Sequence, residues 1–139
     1  MTSPVPLRLG LVGAGAIAQS YAQAAAHSQL IDLRAVADCR VEAANAMAEA
    51  NHCAAFASAD QMAKEMDLEA VLVCTPPVTH REVCCSLLDR GLHVLCEKPL
   101  SIDSASAVQM VETAERNEVV FTMASKFRYV SDVTAAKSL

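Results

Sequence analysis

Gly13, Gly15 and Ala18 stand in the spacing G-x-G-x-x-A, directly after the apolar run Leu7–Val12 and at the start of a helical pattern. Strand, glycine turn and helix in that order present free backbone N–H groups, and the positive end of a helix dipole, to a phosphate. Gly13 can take the tight-turn backbone that a side chain would forbid. Gly15 lets the main chain approach a pyrophosphate, and Ala18 is small enough for helix to pack on strand. Ala14, Ala16 and Ile17 complete the segment expected around the pyrophosphate. The same letters also arise in a glycine turn that holds no ligand, so the context decides. An acidic residue, Asp38, ends the next apolar run, Leu33–Ala37, about 20 residues past the turn. A carboxylate there accepts hydrogen bonds from the ribose hydroxyls and repels a 2′-phosphate, which favours NAD over NADP. Arg40 pulls the other way: it can pair with a 2′-phosphate or stack on adenine, or it is a solvated arginine at a helix start.

Two further turns carry chemical residues. Thr75-Pro76-Pro77 stops the apolar run Ala70–Cys74, and Glu97-Lys98-Pro99 follows the run Leu92–Cys96. Ligands of open α/β sheets bind outside the carboxyl ends of the strands, so all three turns fall on one functional edge. The elements that must place them alternate. Strands are expected near 7–12, 31–37, 54–57, 70–74, 92–96 and 119–123. Helices are expected near 15–27 and 41–51, from Ser58 or Asp60, near 79–90 with Gly91 beyond its end, and from Ser101 or Asp103 to about Asn117. Ile17, Tyr21 and Ala24 are the expected packing stripe of the first helix, and Val41, Ala44, Met47 and Ala48 that of the second. The pattern predicts an α/β fold: a Rossmann-type, doubly wound parallel sheet of six strands in the order 3-2-1-4-5-6, with right-handed crossovers.

Taken together, G-x-G-x-I-A, Asp38, T-P-P-x-x-H and E-K-P resemble the Gfo/Idh/MocA oxidoreductase family over about residues 5–139, and specifically its N-terminal nucleotide-binding domain. The resemblance implies residues 1–125 as that domain and 126–139 as the start of a truncated connection to an absent C-terminal substrate domain. It implies hydride transfer between a nicotinamide dinucleotide and a sugar, cyclitol or related alcohol or carbonyl. It makes Lys98 the catalytic residue, beside the nicotinamide and the substrate hydroxyl, where a desolvated ammonium would help manage the proton. A solvated surface lysine is the plain alternative. Glu97 contacts the cofactor, orients the turn, or forms a buried salt bridge. Thr75, Pro76, Pro77 and His80 join the cofactor-binding set, with a purely structural His80 as the competing reading. Without the second domain the 139-residue chain is expected to be inactive, and a small-molecule substrate to be held only with that domain present. A non-catalytic NAD-binding or dimerising module is the alternative. A methyltransferase using S-adenosylmethionine shares the glycine turn and the acidic ribose binder, but E-K-P argues against it.

Composition narrows the class. The chain is 53% hydrophobic but only 4% aromatic, so a sizeable core must be built from Val, Leu, Ile, Ala and Met. A net charge of −5 without a basic cluster speaks against nucleic acid. The N-terminal Met1–Pro6 lacks a signal-peptide pattern and no apolar run reaches membrane-spanning length, so a cytoplasmic protein without membrane contact is expected. The six cysteines, Cys39, Cys53, Cys74, Cys84, Cys85 and Cys96, form no C-x-x-C pair and read as thiols. The histidines His27, His52, His80 and His93 have no metal-ligand spacing, so no metal is expected. Beyond strand six, Ser131 or Asp132 is expected to cap a helix with Val133 and Ala136 on its apolar stripe. A two-fold homodimer burying Phe127, Tyr129 and Val130 is the simplest cover for that end, and a tail folded back on its own sheet is the alternative.

Overall fold

The structure, a computed structural model, describes residues 5–138, without the side chain of Phe127. The reading of Met1–Pro4 therefore lies outside the described residues. Six strands, β1 (Leu7–Val12), β2 (Ile31–Ala37), β3 (Ala54–Phe56), β4 (Ala70–Val73), β5 (His93–Glu97) and β6 (Phe121–Ala124), form one sheet in the order β3-β2-β1-β4-β5-β6. Every pairing is parallel. Between them run α1 (Ala16–Ala26), α2 (Val41–Ala50), α3 (Ala59–Glu65), α4 (Pro77–Asp89) and α5 (Ser104–Arg116). A 3-10 turn at Lys126–Tyr129 and α6 (Ser131–Lys137) follow β6.

Period-two alternation sends neighbouring strand residues to opposite faces, and each face has its own core. On one, Val71, Val73, Val94 and Cys96 pack against Met62 of α3, Leu87 and Leu88 of α4 and Met110 of α5. On the other, Leu11, Val36 and Leu72 meet Ala18 and Ala22 of α1 and Met47 and Ala48 of α2. Helices thus cover both faces, as a doubly wound sheet requires.

Local chemistry sets the helix starts. Ser58 caps α3, its hydroxyl accepting the Gln61 N–H at 3.2 Å. Asp103 caps α5, its carboxylate accepting the Ser106 N–H at 2.7 Å. Helix α4 begins two residues earlier than the proline pair suggests, because Pro77 occupies a first-turn position that needs no N–H.

Four sequence expectations are corrected. Ile17 is 48% exposed and Ala24 is at the surface, while Ala18, Ala22 and Ala25 form the buried face of α1. The helix sits close to the sheet on its smallest residues, and that rotation turns Ile17 outward. Val41, 46% exposed, lies in the first turn of α2 and stays outside the stripe made by Ala44, Met47 and Ala48. Helix α6 is capped at Val130, neither at Ser131 nor at Asp132, and buries none of its residues. Its expected apolar stripe reaches no core: Val133 is 43% exposed. Among the described residues no helix is long and apolar enough to cross a membrane.

Candidate functional site

The three turns stand together at the carboxyl edge of the sheet because the central strands end in register. The Gly13 N–H donates to the Ala37 carbonyl at 2.8 Å, and the Cys74 N–H to the Val12 carbonyl at 2.7 Å. A cleft of about 660 Å³ opens between the glycine turn, the end of β2 and the Thr75 turn. Of the residues expected around the pyrophosphate and ribose, Gly13, Gly15, Ala16, Ile17, Asp38 and Arg40 line it. So do Thr75 and Pro76 from the second turn.

The two glycines do different work. Gly13 has φ +93°, and a Cβ there would lie 2.8 Å from the carbonyl carbon and oxygen of Cys74. It is glycine because the turn curls left-handed against the end of β4. Gly15 has an ordinary φ of −84°, and a Cβ added to it would meet nothing within 4 Å. No neighbour forbids a side chain there. What a methyl would occupy is the open space of the cleft, in front of the N-terminus of α1. This is the volume a pyrophosphate needs, so the residues present fit a dinucleotide.

Asp38 holds the turn as well as facing the cleft. One carboxylate oxygen accepts the Ala14 N–H at 2.7 Å, and the other accepts the Arg40 N–H at 2.8 Å. The Arg40 guanidinium adds contacts of 3.3 Å to both oxygens. Burial pushes this carboxyl up, but the Ala14 and Arg40 donors outweigh burial and hold it below the ordinary carboxylate range. Asp38 is thus an anion whose acceptor sites are taken by the Ala14 and Arg40 donors, and a hydroxyl donor would reach it in place of the two longer guanidinium contacts. Ala14 itself is buried and lies behind the cleft, its N–H already committed to Asp38.

At the second turn, Thr79 Oγ1 lies 2.8 Å from both the Thr75 hydroxyl and the Pro76 carbonyl oxygen. Pro77 and His80 do not line the cleft. His80 has no exposed surface, and its ring nitrogens face only backbone carbonyls: Nε2 lies 2.8 Å from Thr75 O, and Nδ1 3.1 Å from both Pro99 O and Leu100 O.

At the third turn, Glu97 is buried. Tyr21 donates its hydroxyl to Oε1 at 2.7 Å, and the Lys98 N–H donates to Oε2 at 2.8 Å. Burial first, then the Glu97 hydrogen bond and charge, raise the Tyr21 pKa, so the phenol stays a donor. Lys98 is exposed, follows β5 directly and precedes a cis peptide bond to Pro99. Its ammonium has no hydrogen-bond or ion-pair partner among the described residues. Neither Glu97 nor Lys98 lines the cleft. They stand at the same sheet edge one strand over, since Val73 and Cys96 are register partners.

Residues that sequence reasoning missed include Ser58, Thr79 and Val83, which line the cleft, and Tyr21, which orients Glu97. Thr75 and Thr79 share a 3.6-residue period at a helix start, a usable signal. Tyr21 and Glu97 are 76 residues apart and carry none. Cys74 lines the cleft as well. Burial, then the Glu97 charge and Cys96, push its thiol up to about 12, so it is a neutral thiol rather than a nucleophile at physiological pH. Among the described residues no group of three or more His, Cys, Asp or Glu side chains could hold a metal ion.

Comparison with known proteins shows the family and agrees with the fold. The profile of the oxidoreductase family with an NAD-binding Rossmann fold, GFO_IDH_MocA, matches residues 7–125. Rhizopine catabolism protein MocA of Rhizobium meliloti is 34% identical over 126 residues, 91% of this chain and 39% of that protein. Glucose-6-phosphate 3-dehydrogenase of Bacillus subtilis (strain 168) is 33% identical over 132 residues, 95% of this chain and 37% of that protein. The WlbA dehydrogenase of Bordetella pertussis, solved in complex with NADH and UDP-GlcNAcA, superposes with a TM-score of 0.93 at 25% identity, covering 96% of this chain and 41% of that one. The chain therefore spans about two-fifths of the length of the relatives it matches.

Proposed function

The chain belongs to the Gfo/Idh/MocA oxidoreductase family through its NAD-binding Rossmann domain, and from that premise we propose that it is the cofactor-binding part of an oxidoreductase acting on a sugar, a cyclitol or a related alcohol or carbonyl. The observation that carries this reading is the open space in front of Gly15, bounded by Asp38 on one side and Thr75 on the other. The names of the relatives support the substrate class: one is a glucose-6-phosphate 3-dehydrogenase, and another was solved with UDP-GlcNAcA.

The bound dinucleotide would supply the hydride acceptor or donor. The residues of this chain do the rest. The N–H groups at the start of α1 face the phosphates. Asp38 receives the ribose hydroxyls, and its anionic state, already paired with Arg40, disfavours a 2′-phosphate, so NAD is the preferred cofactor. Lys98 offers three N–H donors to the oxygen of the reacting carbon and holds or releases a proton there. Lys98 is exposed, and among the described residues nothing encloses a substrate or excludes water around its ammonium. The 139-residue protein is therefore expected to bind cofactor without turnover, which absorbance at the reduced-nicotinamide band in the presence of polyols checks. Calorimetric titration with NAD, NADP and S-adenosylmethionine tests the assignment. Saturable heat with NAD, weaker with NADP and none with S-adenosylmethionine is expected. Tighter binding of NADP would transfer the ribose-end role to Arg40, and binding of S-adenosylmethionine alone would overturn the reading.

A further inference from the structure

Lys98 is fastened on both sides while its ammonium is left free. On the N-terminal side, its own N–H donates to Glu97 Oε2, and Glu97 is pinned through Oε1 by the Tyr21 hydroxyl from α1. On the C-terminal side, the carbonyls of Pro99 and Leu100 both lie 3.1 Å from His80 Nδ1. The opposite ring nitrogen of the same buried imidazole lies 2.8 Å from the carbonyl of Thr75, a residue that lines the cleft. Every oxygen facing the ring is a main-chain acceptor, so each bond the ring makes is one it donates, to both turns at once only when both nitrogens carry hydrogen. An imidazole buried only for packing would not need to span two strand-end turns.

We infer that His80 and the Tyr21–Glu97 pair are positioning residues that bracket Lys98, fixing its main chain relative to the Thr75 wall of the cleft so that a mobile ammonium works from a rigid base. The inference rests on the proposed role of Lys98 at the cofactor edge. In physical terms, a reacting group must be held to within fractions of an ångström, and that precision has to come from the groups that support it. Here the supports come from three elements far apart in sequence, α1, β5 and the first turn of α4.

The test uses the whole chain and three variants: His80→Phe, which fills similar volume without donating; His80→Gln, which restores amide donors; and Tyr21→Phe, which frees Glu97 Oε1. Folding is followed by circular dichroism, and hydrogen exchange of the Lys98 amide is read by nuclear magnetic resonance. The bracket predicts at least tenfold faster exchange at Lys98 in His80→Phe and in Tyr21→Phe, with β1 and β4 amides unchanged, and slower exchange again in His80→Gln. Wild-type exchange at Lys98 in folded His80→Phe, or no recovery in His80→Gln, would overturn it. If His80→Phe does not fold, the Gln and Tyr21 variants decide. Failure of His80→Gln to fold as well would make the ring a core group and likewise overturn the inference. NAD titration of the wild type separates the two levels: absent binding removes the proposed function, whereas binding with unaltered Lys98 exchange in the variants removes only the bracket.

Discussion

Alanine at Gly13 and alanine at Gly15 are expected to fail in opposite ways, although the two positions are one residue apart. At Gly13 the backbone has φ +93°, and the new methyl would sit 2.8 Å from backbone atoms of Cys74 that cannot swing aside. A left-handed conformation costs a non-glycine residue about 1–2 kcal/mol. Forcing a methyl into filled space costs about 1–3 kcal/mol more. The sum, roughly 2–5 kcal/mol, is a large share of a typical domain's stability. At about 3–5 °C per kcal/mol for a domain of this size, Gly13→Ala should melt about 6–25 °C lower. At Gly15 the backbone already suits alanine and no neighbour lies within 4 Å. Reduced unfolded-state entropy contributes about 0.4–1 kcal/mol in favour of alanine. A poorer helix N-cap offsets a similar amount, so Tm should move little. The methyl would instead stand where the pyrophosphate must lie. Overlap of about 1.4–3 kcal/mol corresponds to roughly a tenfold to hundredfold loss of dinucleotide affinity. Thermal melts paired with calorimetric NAD titrations read both effects. A folded Gly15→Ala chain that binds NAD like the wild type would refute the placement of the phosphates, and an unshifted melt of Gly13→Ala would refute the turn geometry.

Asp38→Ala should weaken NAD about tenfold to hundredfold, for the loss of charge-assisted bonds of about 1.5–3 kcal/mol, and narrow the preference over NADP; equal loss for both cofactors in titration would contradict the ribose role. Stability should fall in acid. Asp38, Asp89 and Asp103 are held below the ordinary carboxylate range: Asp38 by the Ala14 and Arg40 donors that outweigh burial, Asp89 chiefly by Arg116, and Asp103 chiefly by the Ser106 N–H. A depressed folded pKa contributes stability that is fully present above about pH 4, the ordinary carboxylate value, and is lost as pH drops through the folded values. Urea melts across that window should show wild type and Asp38→Asn differing at neutral pH and converging in acid; a constant gap would sink the idea. Among the described residues strand β6 pairs only with β5, Tyr129 is 82% exposed and Val130 38% exposed, so the chain is expected to self-associate. Sedimentation equilibrium at tens of micromolar should give a dimer mass, and a clean monomer would remove that expectation. The third residue proposed for this contact, Phe127, has its side chain outside the described residues.

Elements governed by local pattern were readable from the chain. Strand β2 occupies the expected span 31–37, and α3 and α5 start at side chains able to cap them. The place of Asp38 at the end of β2, lining the cleft, was readable from spacing alone. Its hold on the Ala14 N–H was not, because that depends on how β1 and β2 align. Ile17 and Ala24 were misplaced because several faces of an alanine-rich helix look alike; which face lies down is decided by how closely the backbone approaches the sheet. The supports of Lys98 were hidden for a different reason. Tyr21 reads as ordinary packing, and only the fold brings it to Glu97. T-P-P-x-x-H marks His80 as special, but its partners are backbone carbonyls contributed by another turn, which no side-chain motif encodes.

The cleft between Gly15, Asp38 and Thr75 is the proposed dinucleotide site. Its most direct test is a titration of the isotope-labelled chain with NAD, followed residue by residue by nuclear magnetic resonance. Saturable shifts are expected at the amides of Gly15, Ala16, Ile17, Cys39, Arg40 and Thr75, with the β6 edge and the groove that Gln19 and Gln23 of α1 form with Ala43 and Ala46 of α2 undisturbed. Shifts centred on either of those surfaces, or none at saturating NAD, would contradict it.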